Sequence, residues 1–217
     1  MIKLRAVFEK TGRAKYISHL DLNRCMLRVF RRSGLPIWYT EGFNPHPYFS
    51  FALALSLGFE SECEILDFNL NEDIPFEIVK ERMNSVMPAG MRISNVYTPN
   101  MKITAIAKAE YSVELISDNS DVLLHDINNL LFADEILIEK KTKKGIKTVD
   151  LKPSVEIKNI SNEGKTILLK LCLPAGTQTN FNPNLFIEAL RNTSGMTFET
   201  GNISRTGIYC ENNEIFS

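Results

Sequence analysis

Residues 2–36 of the chain, IKLRAVFEKTGRAKYISHLDLNRCMLRVFRRSGLP, hold a strand, a loop and a helix in succession. Ile2–Glu9 alternate apolar and polar side chains, the two-residue period of a half-buried strand. TGRAKY then breaks the pattern as a loop. Ser18 is placed to cap a helix, with Asp21 three residues on facing the free amides of the first turn. The helix is expected to run to about Ser33 and to stop at Gly34, with Pro36 just beyond. Leu22, Met26, Val29 and Phe30 fall on one of its faces. Arg24, Arg28, Arg31 and Arg32 fall mostly on the opposite one.

Working outward, residues 36–41 are expected to be a strand, and GFNPHPYF (42–49) is too rich in Gly and Pro for regular structure. SFALALSLG (50–58) is apolar and partly extended, and CEILDFNL (63–70) alternates as a strand. Residues 75–87 form an amphipathic helix with Phe76, Val79 and Met83 on one face, ended by Pro88 and Gly90. MRISNVYT (91–98) is the next strand. The order β-α-β-β-α-β is that of a ferredoxin-like unit. It then recurs: a strand over Ala107–Ile116, a helix over Ser120–Leu131, and strands near 135–141, 146–151, 153–160 and 165–173. A helix over Pro183–Thr193 and a strand over 203–210 follow. Asn180–Asn182 and Ser204–Gly207 are expected as polar loop segments. The expected fold is α+β, two tandem ferredoxin-like units with antiparallel sheets. The first domain is 1–100; the second is 101–217, with an extra lysine-rich hairpin, KKTKKGIKT (140–148).

A chain of 217 residues with 44% hydrophobic content suits one large domain or two small ones, and not a disordered tail. No apolar run reaches the ~20 residues that span a bilayer. The N-terminal residues lack the pattern of a secretion signal, so a cytosolic protein without membrane partners is expected. Cys25, Cys63, Cys172 and Cys210 are dispersed, as are His19, His46 and His125; neither set has zinc spacing, so no metal is expected. The net charge of −1 hides an asymmetry. Residues 1–50 carry nine Lys and Arg against three Asp and Glu, whereas residues 51–100 carry three against eight. A basic first segment creates a local field whatever the total.

Candidate chemistry concentrates in two motifs, KYISHLDLNRCMLRVFRRSGLP (15–36) and YTEGFNPHPYFSFALALSLGFES (39–61). These resemble the signature of the bacterial radical-SAM-linked family, a domain of unknown function encoded beside or fused to a radical-SAM protein. The resemblance implies a radical-SAM partner and transfers no catalytic residue. The chain itself lacks the closely spaced cysteines that hold an iron–sulfur cluster. A weaker, fold-level likeness to CRISPR repeat-processing RNases rests on the opening strand, "SHLD" and the basic helix.

Among individual residues, His19 in the first helical turn is either a neutral base or ligand, its cationic form disfavoured by the helix dipole, or a polar residue fixing the helix start. His46, between Pro45 and Pro47, is either presented by a stiff loop or forms a structural corner. Should the two converge, Asp21 or Glu41 would complete a two-histidine site. Arg13, Lys15, Arg24, Arg28, Arg31 and Arg32, with the aromatics Tyr39, Phe43 and Tyr48, make a candidate RNA-binding surface. The alternative is a solvated helix face neutralised by the acidic segment 60–81. Phosphate loops and nucleophile signatures are absent, so no cofactor is expected. Three functions follow in order: an accessory module contacting RNA or a translation-related substrate; a protein scaffold for the radical-SAM partner without RNA contact; and an RNA-processing enzyme using His19 and His46.

Overall fold

The computed structural model describes residues 1–142, 145–176 and 179–217. They form a mixed α+β protein with four α-helices and antiparallel strand pairing within each of two units. The first unit is Met1–Ala105 with Ile215–Ser217; the second is Ile106–Glu214.

In the first unit the elements are β1 (Ile2–Lys10), α1 (His19–Arg32), β2 (Phe49–Phe51), β3 (Glu60–Leu70), α2 (Phe76–Asn84) and β4 (Met91–Tyr97). Their sheet order is β4-β1-β3-β2. Leu4, Ala6 and Phe8 of β1 and Leu66 and Phe68 of β3 put their side chains into one core, onto which α1 lowers Leu22, Met26, Val29 and Phe30. Fully burying each such side chain stabilises by roughly 1.5–3 kcal/mol. The cap forms as the sequence suggests: the Ser18 hydroxyl accepts from the Asp21 amide at 3.1 Å and donates to the Asp21 carboxylate at 2.8 Å. Gly34 closes the helix with φ +65°, a conformation that favours glycine.

Two expectations need correction here. Residues 36–41 form no strand; they make only isolated bridges, Ile37 to Leu70 and Tyr39 to Pro47. Pro36 has no amide to donate and the Gly- and Pro-rich segment pulls the chain away, so the second strand is the short Phe49–Phe51 instead. α2 also stops at Asn84, before Pro88. The Asn84 side chain binds the amide and carbonyl of Ile93 at 2.8 and 2.9 Å, stitching the helix end to β4.

In the second unit β5 (Ile106–Ile116) and α3 (Ser120–Phe132) precede a hairpin, β6 (Leu137–Thr142) and β7 (Gly145–Asp150). Then come β8 (Glu156–Glu163), β9 (Thr166–Pro174), α4 (Pro183–Thr193) and β10 (Glu199–Cys210). Its sheet order is β10-β5-β9-β8. Counting these four strands in chain order, and the four of the first unit likewise, both sheets have the spatial order 4-1-3-2. Ser204–Gly207 lies inside β10 and is not a loop. Asn182 caps α4, its side chain accepting from the Asn184 amide at 2.9 Å. In the hairpin Lys147 is exposed, while Lys143 and Lys144, and the side chains of Lys140 and Lys141, lie outside the described residues. No helix among the described residues is long and apolar enough to cross a membrane.

Candidate functional site

With 3.6 residues per turn, the core positions of α1 fix where its arginines go. Arg24, Arg28, Arg31 and Arg32 are all exposed, on the side away from Leu22, Met26, Val29 and Phe30. They differ in what they touch. Arg24 is committed to Asp21, with Nη1 at 3.0 Å from the carboxylate. Arg28, Arg31 and Arg32 make no ion pair or hydrogen bond among the described residues. The Ser18 hydroxyl first, and then Arg24, hold the Asp21 carboxyl below the ordinary carboxylate range.

Beside this face runs a groove of about 440 Å³. One wall is α1, with Asp21, Arg24, Cys25, Arg28 and Arg32; the other is the turn after α2, Ser85–Pro88. Arg31 does not line it. Burial pushes the Cys25 thiol up, and the Arg28 guanidinium pulls the other way. The groove was not visible in the sequence, because its two walls come from segments some sixty residues apart.

Arg13 is exposed in the helical turn Gly12–Tyr16. Lys15, in the same turn, has its ammonium 3.7 Å from the Glu60 carboxylate and 5.6 Å from the Tyr16 ring centre. Its charge is therefore largely answered within the protein.

The loop between α1 and β2 is closed like a small hairpin. The Thr40 amide donates to the His46 carbonyl at 2.9 Å, and the Tyr48 amide to the Trp38 carbonyl at 3.0 Å. Trp38 and Tyr48 pack edge to face at 5.4 Å. Tyr39 and Tyr48 are about two-fifths exposed and Phe43, at the tip, wholly so.

His19 occupies the first position of α1, exposed, with its ring edge-on to Phe51 at 5.5 Å. His46 is held within its own loop: Nδ1 lies 3.0 Å from the Asn44 carbonyl oxygen and 3.1 Å from the Thr40 hydroxyl. A carbonyl only accepts, so in the neutral ring Nδ1 carries the proton and Nε2 is the acceptor. Among the described residues His19 and His46 share no hydrogen-bond or ring-contact partner, and Asp21 is engaged by Ser18 and Arg24. Among the described residues no group of three His, Cys, Asp or Glu is placed to hold a metal ion.

A chain in the crystal structure of a Cbf5–Nop10–Gar1 complex is similar in fold, with a TM-score of 0.51 and 11% identity. The match covers 94% of this chain and 48% of that one, so this chain spans about half the length of its structural neighbour. At that identity the likeness is one of fold alone. No curated protein matches the chain. A family model does: from β1 through the arginine helix, the His46 loop and on to the first residue of α4, residues 3–183 match the family described as an uncharacterised protein conserved in bacteria (DUF2344), and the chain belongs to that family.

Proposed function

We propose that the protein is a cytoplasmic accessory module that contacts RNA, or an RNA-containing substrate of translation, through the arginine face of α1, and that it binds without catalysing. The observation that carries this is the set Arg28, Arg31 and Arg32: three exposed guanidiniums on one face with no carboxylate of the protein, among the described residues, to answer them. Unanswered guanidiniums suit phosphate oxygens, which they bind two at a time. Exposed rings at Tyr39, Phe43 and Tyr48 offer faces on which bases stack. The 4-1-3-2 strand order supports reading both units as ferredoxin-like. The resemblance of the two N-terminal motifs to the radical-SAM-linked family supports a radical-SAM protein as the partner served.

The test is anisotropy of a labelled single-stranded RNA titrated with the protein at several salt concentrations. Three phosphate contacts predict a slope of roughly −2 in log K against log salt for a single strand. A protein that fails to bind RNA even at low salt overturns this reading. The wholly exposed Phe43 favours a second one, a protein scaffold that docks the radical-SAM partner with no RNA contact. An RNA-processing role for His19 and His46 has less behind it, since no hydrogen-bond or ring-contact partner among the described residues is common to the two.

A further inference from the structure

Arg24, Arg28 and Arg32 recur every fourth residue along one wall of the α1 groove. At a rise of about 1.5 Å per residue, neighbours in that series stand ~6 Å apart along the helix. That is close to the spacing of successive phosphates on an extended strand. Arg24 is paired with Asp21 at 3.0 Å, so the groove has one charge-balanced position and two cationic ones without an ion-pair partner among the described residues, Arg28 and Arg32. The opposite wall is different in kind: Val86, Met87 and Pro88 present apolar surface. A volume of about 440 Å³ lies within the ~300–1,000 Å³ of clefts that hold small ligands.

We infer that this groove is a single-stranded RNA site, with two successive phosphates on Arg28 and Arg32 and one unstacked base against Val86–Pro88. The inference rests on the RNA reading above and adds a place and a register to it. Duplex RNA does not fit the same arrangement, because its bases are stacked and paired and none is free to reach the apolar wall. Arg31, like Arg28, is exposed and makes no ion pair or hydrogen bond among the described residues, yet it lies outside the groove. Diffuse attraction to a polyanion weighs the two alike; a groove does not. Cys25, half-buried in the groove lining, is a built-in reporter of occupancy.

The experiment compares R28E and R31E, which make the same charge change, for binding a short labelled oligouridylate, with thermal melts to confirm folding. In parallel, wild-type protein is alkylated with iodoacetamide with and without the oligonucleotide, and Cys25 and the half-buried Cys63 are read separately by peptide mass spectrometry. The expected result is a loss of affinity in R28E roughly tenfold or more beyond that in R31E, with Cys25 protected and Cys63 unchanged. Equal losses in the two variants, with Cys25 alkylated at its free rate, overturn the groove and leave RNA binding standing. Absence of binding by the wild-type protein takes down both readings. Equal protection by a duplex of the same length overturns the single-strand assignment.

Discussion

Arg5 on β1 and Asp67 on β3 stand directly opposite in register, and their side chains meet as a bidentate pair, Nε to Oδ1 at 2.7 Å and Nη2 to Oδ2 at 2.9 Å. The same guanidinium donates to the main-chain oxygen of Ser217 at 2.9 Å and lies 4.5 Å from the centre of the Phe216 ring. Arg5 is only 1% exposed. One side chain therefore joins two strands of the first unit to a segment more than two hundred residues further along.

Breaking that pair from the carboxylate side leaves a buried cation poorly answered. Asp67→Asn is expected to cost about 2–4 kcal/mol, somewhat below the full cost of a wholly buried pair because Asp67 is partly exposed. Arg5→Met, which removes the charge and keeps much of the volume, is expected to cost less. Urea denaturation of both variants checks the order. Arg5→Met proving the more damaging would mean that the tail contacts matter more than the ion pair.

The cap of α1 gives a pH-dependent prediction. The Asp21 carboxyl is held below its ordinary value chiefly by the Ser18 hydroxyl and next by Arg24. A carboxyl whose folded pKa is depressed contributes stability above its unfolded pKa, and that contribution is lost as pH falls through the folded value. Ser18→Ala should therefore raise the Asp21 pKa toward the ordinary range, seen by NMR titration. Losing the cap should also cost about 1 kcal/mol at neutral pH. An Asp21 titration unmoved by Ser18→Ala would contradict the assigned cause.

Asn84 joins the end of α2 to β4 by two hydrogen bonds to the main chain of Ile93. Asn84→Ala is expected to cost roughly 2 kcal/mol, about 1 for each bond. Because α2 ends there and the groove wall Ser85–Pro88 follows, it should also raise the alkylation rate of Cys25. Destabilisation without any change at Cys25 would show that the groove wall holds its place without this stitch.

What was legible in the sequence was what local chemistry fixes. β1, α1 and α4 announce themselves through period, cap and stop, and α4 begins at Pro183 and ends at Thr193 as the pattern predicts. β2 did not, because Phe49-Ser50-Phe51 is too short to establish a period and runs straight on into the apolar stretch 51–55. The arginine face followed from spacing alone. That Lys15 turns to Glu60, that Arg24 is spent on Asp21, and that Arg28 and Arg32 but not Arg31 line a groove are consequences of residues brought from elsewhere. Arg5 shows the same limit: in an alternating strand it looks like a solvent-facing residue, and its partners, Asp67, Phe216 and Ser217, are all brought from elsewhere in the chain.

The His46 ring offers a test of the loop's internal order. With Nδ1 facing the Asn44 carbonyl at 3.0 Å, the neutral ring should carry its proton on Nδ1, opposite to the preference of a free histidine side chain. Nitrogen-15 shifts of the neutral imidazole would show this directly. Thr40→Val should leave the tautomer unchanged, because Asn44 remains as the acceptor. An Nε2-protonated ring would mean that the loop does not hold His46 as described, and that Nε2 is no open acceptor.

Phe43 separates the two readings of the N-terminal surface. A wholly exposed aromatic ring at a loop tip contributes almost nothing to folding, so Phe43→Ala should change stability by no more than about 0.5 kcal/mol. If the loop stacks on bases, the same change should weaken binding of single-stranded RNA by about 1 kcal/mol or more. The loss should persist at high salt, because stacking releases no counterions, whereas the loss from R28E should shrink as salt rises. Unchanged RNA affinity, with lost co-purification of a protein partner, would instead assign the ring to protein docking and leave the arginines of α1 as the RNA contact.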